Sequence, residues 1–412
     1  MKILVLNSGS SSIKFKLYTV DDKTQYFSAL SEGQADRIGI AGSTITIHCT
    51  GCEDKNKQYV ELPNHKTAID TILHQLVESE QAVLASLDEL SGVGHRVVHG
   101  GEDFTSSVVI TRDVVKAIER NSMLAPLHNP PNLMGIKAIS ALLPATPQVA
   151  VFDTAVHQSM PKKAYMYALP RAQYTNYKIR KYGFHGTSHG YVAKKAAEAL
   201  DKPLEDLKLI TCHLGNGGSL AAFMGGHSVD TSMGFTPLDG IIMGTRSGTL
   251  DPYIPLHIME SQELSPAQVS TMLNKHGGLL AISGKSDMRD NVQGAAEGDK
   301  GCQLAIEMFC YSIQKYIGSY IAAMNGVDGI VFTAGVGENN PQLREKILEN
   351  FSFIGLKVDD ERNNANETVI TTDDSNVAGL KIHTNEELVI ALDTHNLIKK
   401  KKCHGSTRCF TG

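Results

Sequence analysis

One pattern constrains the fold of this chain more than any other: the same short grammar is written twice, about two hundred residues apart. An apolar run, Lys2–Leu6, enters the polar turn Asn7-Ser8-Gly9-Ser10-Ser11-Ser12, and Ile13 to Val20 then alternates again. Leu209 to Phe223 repeats the layout around Leu214-Gly215-Asn216-Gly217-Gly218. Period-two alternation on both sides of a Gly- or Ser-rich turn marks a β-hairpin. Two related halves would produce this repeat, and so would two ordinary hairpins; the similarity alone does not choose between them. A length of 412 residues allows two or three domains.

The rest of the chain reads as mixed α and β. Helical spacing covers 66–90, with Ile69, Ile72, Leu73 and Leu76 on one side. A strand is expected over Gly92–Val98, and helices over Asp113–Asn121 and Asn132–Leu142. Val149–Phe152 is a buried-type strand that ends at Asp153. Residues 154–182 look irregular, Tyr191–Leu200 helical, and 302–325 a long amphipathic helix. Gly329–Thr333 is a further buried strand, and Leu388–Leu392 reads as the last one. Between them Gly335–Asn340 reads as a loop leading into a helix at Pro341, able to offer backbone N–H groups to an anion. The Lys-rich end, 399–412, reads as a disordered tail.

Composition excludes several classes of function. Hydrophobic residues make up 42% and charged residues 20%, so the chain can build a core. A net charge of −5 leaves no electrostatic footprint for nucleic acid or an anionic membrane. No apolar run is long enough to span a bilayer, and Ile3–Leu6 is too short for a secretory signal. Seven scattered cysteines point to free thiols in a reducing cytoplasm. Cys49 and Cys52 sit where a strand runs into a turn, which fits neither a redox helix nor, without a second pair, a zinc site.

Standard nucleotide and metal motifs fail by small margins. Gly284-Lys285-Ser286 ends like a P-loop, but the first glycine it needs falls on Leu279. Gly335-Val336-Gly337 and Gly92-Val93-Gly94 start a dinucleotide fingerprint, but Asn340 and Val97 stand where its third glycine belongs. The pairs His95/His99 and His185/His189 lack the glutamate of a zinc-protease helix. Three Gly-rich turns and two arginines among small residues remain, Arg96 before Val97-Val98-His99-Gly100-Gly101 and Arg246 in Gly244-Thr245-Arg246-Ser247-Gly248. Such arginines can fork onto a carboxylate or phosphate; a surface ion pair is the ordinary alternative for each.

These segments, taken in order, resemble the acetate kinase (acetokinase) family. The resemblance rests on Asn7-Ser8-Gly9-Ser10-Ser11-Ser12-Ile13-Lys14 and Gly183-Phe184-His185-Gly186-Thr187-Ser188-His189 as its two long signatures. It is supported by His95–Gly101, Phe152–His157, His213–Ser219, Ser283–Arg289, Gly335–Asn339 and Thr384–Leu388. It implies an α/β fold of two ribonuclease H-like domains, shared by acetate and sugar kinases, Hsp70 and actin, around a nucleotide cleft that closes over ATP. The domains would span 1–153, completed by about 387–398, and 154–386, with 399–412 outside the family pattern.

The implied reaction is reversible phosphoryl transfer from ATP to acetate, giving ADP and acetyl phosphate by direct in-line attack of the carboxylate. A propionate or butyrate kinase is the alternative within the family, and a noncatalytic nucleotide-binding relative the alternative outside catalysis. A carboxylate is already ionised at neutral pH, so no general base is needed and catalysis should rest on charge and positioning. The resemblance implies that Arg96 holds the acetate and Arg246 the transferring group, while His185 donates to its oxygens. Asp153 helps with Mg²⁺ or orients Arg96. Asn7 and Glu386 position Mg²⁺, with Mn²⁺ able to replace it. Ser10, Ser12 and Lys14 touch the phosphates. His213, Leu214, Gly215, Asn216 and Gly217 embrace ATP, as do Asp287, Met288, Arg289, Gly335, Val336, Gly337, Glu338 and Asn339. Val98, Leu127, Phe184 and Pro237 form the acyl pocket, which Val98 keeps small. A cytoplasmic homodimer is the family expectation. Alanine at Arg96 or Arg246 is expected to remove most of kcat with little effect on folding.

Overall fold

The computed structural model describes residues 1–21, 23–52 and 55–406, with side chains to 401. The chain divides into two compact units, one of Met1–Ala155 with the segment from Asn385 onward, the other of Val156–Thr384.

The first unit is built on a sheet ordered β5-β4-β3-β2-β1-β6-β8-β7. Its strands are β1 (Lys2–Ser8), β2 (Ser12–Asp21), β3 (Tyr26–Asp36), β4 (Thr44–Cys49), β5 (Asn56–Tyr59), β6 (Leu90–Val97), β7 (Val108–Val109) and β8 (Gln148–Phe152). β1 and β2 form the first expected hairpin, with Asn7 opposite Lys14, and β1, β6 and β8 run parallel. Alternation sends Leu4, Leu6, Ile13, Phe15 and Leu17 to one face, against Ile69, Ile72 and Leu76 of helix His65–Glu78 and Ile139 of helix Asn129–Leu142. Ile3, Val5, Tyr18 and Val20 take the other face, against Ile390 and Ala391 of the C-terminal helix Glu386–Ser406. A sheet covered on both faces needs apolar residues at successive positions, which explains the unbroken Ile3–Leu6 run.

The C-terminal helix overturns two expectations. Leu388–Leu392 is helical, not a strand, and the helix runs on to Ser406, so the tail expected to be disordered from 399 is ordered that far; 407–412 lie outside the described residues. Buried Ile390, Ala391, Thr394, His395 and Ile398 recur at helical spacing. Their seat explains the failed Gly92-Val93-Gly94 motif. A Cβ at 94 would meet Ile390 Cγ2 at 2.6 Å and Thr394 Oγ1 at 2.4 Å, so the helix lies directly on the β6 backbone.

Other boundaries also moved. The helix expected over 66–90 stops at Glu78, where Ser79 turns extended. Gly335–Asn340 is not a loop but lies within a helical turn, Ala334–Asn339, and its flank. Cys49 and Cys52, expected to be free, are joined in a disulfide, their Cα atoms 5.5 Å apart across the turn after β4. Cys212, Cys302 and Cys310 are free and buried.

The second unit carries a sheet ordered β11-β10-β9-β12-β13, from β9 (Lys208–Leu214), β10 (Gly218–Met224), β11 (His227–Thr231), β12 (Gly329–Thr333) and β13 (Ala378–Lys381). β9 and β10 form the second expected hairpin, closed by Gly215 N–H to Gly217 O at 3.1 Å. Val192, Ala193 and Ala196 of helix Gly186–Ala199 pack with Leu209, Phe223, Val331 and Leu380, and helix Lys300–Met324 lies against β9 and β10. Among the described residues, no helix is long and apolar enough to cross a membrane.

Buried imidazoles make the fold acid-sensitive. Burial pushes His95 and His157 down to about 4, against the hydrogen bonds they donate to Gln148 Oε1 and Phe184 O, which pull the other way. Both titrate lower folded than unfolded, so between about pH 6.5 and 4 the unfolded chain binds more protons and stability falls as pH falls. Unfolding free energies from denaturant titration should drop from pH 7 to pH 5, by roughly 2 kcal/mol per imidazole, and the midpoints with them. A midpoint flat across that interval would contradict this burial argument.

Candidate active site

In the first unit the site residues gather at the ends of β1, β6 and β8. Arg96, on β6, meets Asp153 just past β8. Arg96 Nε donates to both carboxylate oxygens at 3.1 and 3.0 Å, and Nη2 donates to Oδ2 at 2.7 Å. Glu386, in the first turn of the C-terminal helix, comes within 3.8 Å of Arg96 Nη1. Asn385 caps that helix, its Oδ1 accepting from Leu388 N at 3.0 Å. Burial alone would lower the Arg96 pKa; the charges of Asp153 and then Glu386 outweigh it, and the guanidinium is held protonated. Asp153 is only 1% exposed. Its carboxylate is occupied in clamping one edge of Arg96, which favours the orienting role over a metal-binding one.

Asn7 and Lys14 lie opposite each other in the β1–β2 register. Ser10 is exposed in the turn between them and Ser12 half-buried. Among the described residues no three His, Cys, Asp or Glu side chains group as a metal cluster. The oxygen donors of Asn7 and Glu386 nevertheless suit Mg²⁺, which takes one or two carboxylates and otherwise keeps water and substrate phosphate. Lys14 also borders a pocket of about 440 Å³ on this sheet, with Lys16, Lys57 and Glu387.

The second unit holds Arg246 and His185. Arg246 sits on a loop pinned by backbone bonds, Gly277 N to Thr245 O, Leu279 N to Met243 O and Ser247 N to Leu273 O, at 2.9–3.0 Å. Its Nη1 donates to Pro237 O at 3.2 Å and lies 3.9 Å from Met243 Sδ. No carboxylate is within ion-pair distance among the described residues, and burial lowers its pKa. His185 adopts the left-handed conformation at φ 55° just before helix Gly186–Ala199. A Cβ on Gly217 would stand 3.6 Å from Arg246 Nη1 and 3.8 Å from His185 Nε2, so both side chains border that turn.

Beside them is a pocket of about 740 Å³, within the range of cofactor sites. Gly215, Asn216, Asp287, Met288, Arg289, Gly335, Val336 and Asn339, all assigned to ATP from sequence, line it. So do Gly244, Leu279, Ser286, Phe309 and Asn340, which the sequence reading missed. Ser286 ends the near-miss P-loop segment, a usable signal; Phe309 was hidden as one more apolar residue on an amphipathic helix. Gly244 allows a close approach, since a Cβ there would lie 2.2 Å from Asn216 Oδ1 and 2.8 Å from Ser286 O. Asp287 is held down to about 2, chiefly by its side-chain hydrogen bond from Arg289.

Other residues expected to touch ATP have side chains engaged within the unit. Glu338 accepts from Ala334 N at 2.8 Å and Thr384 N at 3.2 Å, and pairs with His383, so its carboxylate ties the helical turn to the strand end. Leu214 is 1% exposed and belongs to the core, and a Cβ on Gly337 would contact Leu214 Cβ at 3.6 Å. His213 stacks on His185, ring centroids 4.4 Å apart, instead of lining the pocket. Of the expected acyl pocket, Val98 and the 66% exposed Leu127 belong to the first unit, the buried Phe184 and half-buried Pro237 to the second.

Comparison with known proteins places this arrangement. The Acetokinase family profile matches residues 2–392. Acetate kinase of Carboxydothermus hydrogenoformans is 53% identical over 403 residues, covering 97% of this chain and 100% of the relative. The crystal structure of Porphyromonas gingivalis acetate kinase superposes with TM-score 0.91 at 41% identity, covering 96% of this chain and 99% of that one. A propionate kinase from Francisella tularensis superposes with TM-score 0.89 at 42% identity, covering 96% and 99%. The fold is therefore the two-domain α/β architecture of acetate and sugar kinases, Hsp70 and actin, in its kinase form. Within that class the chain belongs to the acetokinase family.

Proposed function

We propose that the protein is a cytoplasmic acetate kinase, transferring the γ-phosphoryl group of ATP reversibly to acetate. One observation carries the reading: Arg246, a half-buried guanidinium with no carboxylate partner among the described residues, stands with His185 at the Gly217 turn, whose neighbours Gly215 and Asn216 line a nucleotide-sized pocket. A cation kept from its counter-ion by a rigid loop is a receptor for a transient anion.

An acetate oxygen attacks the γ-phosphorus in line; the bond to the β,γ-bridging oxygen breaks, and ADP leaves with the electron pair. No proton moves. Arg96, its far edge clamped by Asp153, presents its remaining N–H groups to the acetate carboxylate. Arg246 and His185 donate to the equatorial oxygens of the transferring group. Ser10, Ser12 and Lys14 steady the phosphates, and the 740 Å³ pocket takes the rest of the nucleotide. Asn7 and Glu386 hold Mg²⁺, directly or through water; bound there, the metal supplies positive charge against the phosphate oxygens. Leu304, Met308 and Tyr311, exposed by 49, 40 and 62% along one stripe of helix Lys300–Met324, suit the interface of a homodimer.

The likeness to a propionate kinase keeps a three-carbon acid as the second reading. The chain-length series decides: kcat/KM should be highest for acetate and about tenfold or more lower for propionate, with butyrate lower still. Propionate equal to or above acetate would replace the first reading.

A further inference from the structure

Behind His185 a row of buried groups has no part in the chemistry above. His185 Nδ1 lies 2.9 Å from Ser219 Oγ, Ser219 Oγ 2.7 Å from His189 Nε2, and His189 Nδ1 2.7 Å from Thr211 Oγ1. Ser219, His189 and Thr211 are each 0% exposed. The other edge of His185 faces the Gly217 turn that Arg246 also borders.

Counting protons restricts this row. Ser219 has one hydroxyl proton and stands between two ring nitrogens, so it gives to one and receives from the other. His189 is neutral, since burial and then nearby His157 and His213 hold its pKa well below the ordinary value, and it carries one N–H. The protons therefore all point toward His185 or all away from it. Pointing away, they place a proton on His185 Nδ1, and Nε2 could then donate only from an imidazolium. That would set a second positive charge across Gly217 from the guanidinium of Arg246. Pointing toward, Thr211 gives to His189 Nδ1, His189 Nε2–H to Ser219, and Ser219 to His185 Nδ1. The competing acceptor for the Thr211 hydroxyl, Ala221 O, is far longer at 3.4 Å.

We propose that Ser219, His189 and Thr211 are positioning residues that hold His185 as the neutral Nε2–H tautomer, its donor edge turned toward the transferring phosphoryl group. The proposal rests on the assignment of His185 to those oxygens. It lets His185 donate without charge, so turnover does not depend on forming an imidazolium.

Long-range ¹H–¹⁵N spectra of the full chain, with the His185 signals assigned against His185→Ala, read the tautomer directly. At neutral pH they should show His185 protonated at Nε2 alone. In Ser219→Ala that single tautomer should give way to a mixture. The same variant should lose about 10- to 100-fold in kcat, as removal of an orienting partner does, with both KM values little changed and a pH profile newly dependent on a protonated group. Ser219→Thr should restore part of the loss. If Ser219→Ala does not fold, Thr211→Val and the wild-type tautomer decide. A wild-type His185 carrying its proton on Nδ1, or an unchanged tautomer in the variants, overturns the relay. Full turnover by His185→Ala would instead overturn the role of His185 itself, leaving the tautomer result standing.

Discussion

Arg246→Ala is expected to lower kcat by about three orders of magnitude, the scale on which a transition-state arginine acts in phosphoryl transfer, while leaving thermal stability unchanged or raised. The two outcomes have one physical origin. The guanidinium is half-buried, it meets the neutral Pro237 carbonyl and the Met243 thioether, and burial lowers its pKa. No anionic side chain offsets its desolvation among the described residues, and in the proposed reaction the transferring group would do so. Removing it should relieve the fold and disable the chemistry, the usual trade at a preorganised site. Arg246→Lys keeps the charge without the planar fork, so it should recover only part of the rate. Steady-state kinetics with parallel denaturant titrations check both halves. Near-normal turnover would show that the charge is not used.

Arg96→Ala should behave differently, although sequence alone treats the two arginines alike. Turnover should fall about 100-fold or more and the KM for acetate should rise, because the group proposed to receive the carboxylate is gone. Here stability should fall too, by about 3 kcal/mol, since the buried Asp153 loses the guanidinium it pairs with. The sequence-based expectation of little effect on folding is thus corrected for Arg96 and kept for Arg246. The double variant Arg96→Leu with Asp153→Leu should recover much of the stability and none of the activity. If Arg96→Ala proves as stable as the parent, the clamp is not the buried pair described.

How much was legible follows from which signals are local. The hairpins β1–β2 and β9–β10 were, because alternation and Gly- or Ser-rich turns act within twenty residues. The Arg96–Asp153 clamp was not: it closes across 57 residues, through the parallel pairing of β6 with β8. The segment 388–392 was misread because a five-residue apolar run fits a buried strand and a helix equally. What decides is the groove opened by Gly92 and Gly94, nearly three hundred residues earlier. Glu338 was assigned to ATP through the resemblance of Gly335–Asn339 to the family, which says nothing of where its side chain goes. Its carboxylate turns inward because the first amides of a helical turn and the Thr384 amide need an acceptor.

Direct transfer to a carboxylate is the central claim, and trapping its product tests it. The purified protein, given ATP, Mg²⁺, acetate and hydroxylamine, should form acetyl hydroxamate in step with ADP, with negligible ADP formed when acetate is omitted. ADP release that is indifferent to acetate, or nucleotide binding with no hydroxamate under any acid tried, would contradict the account.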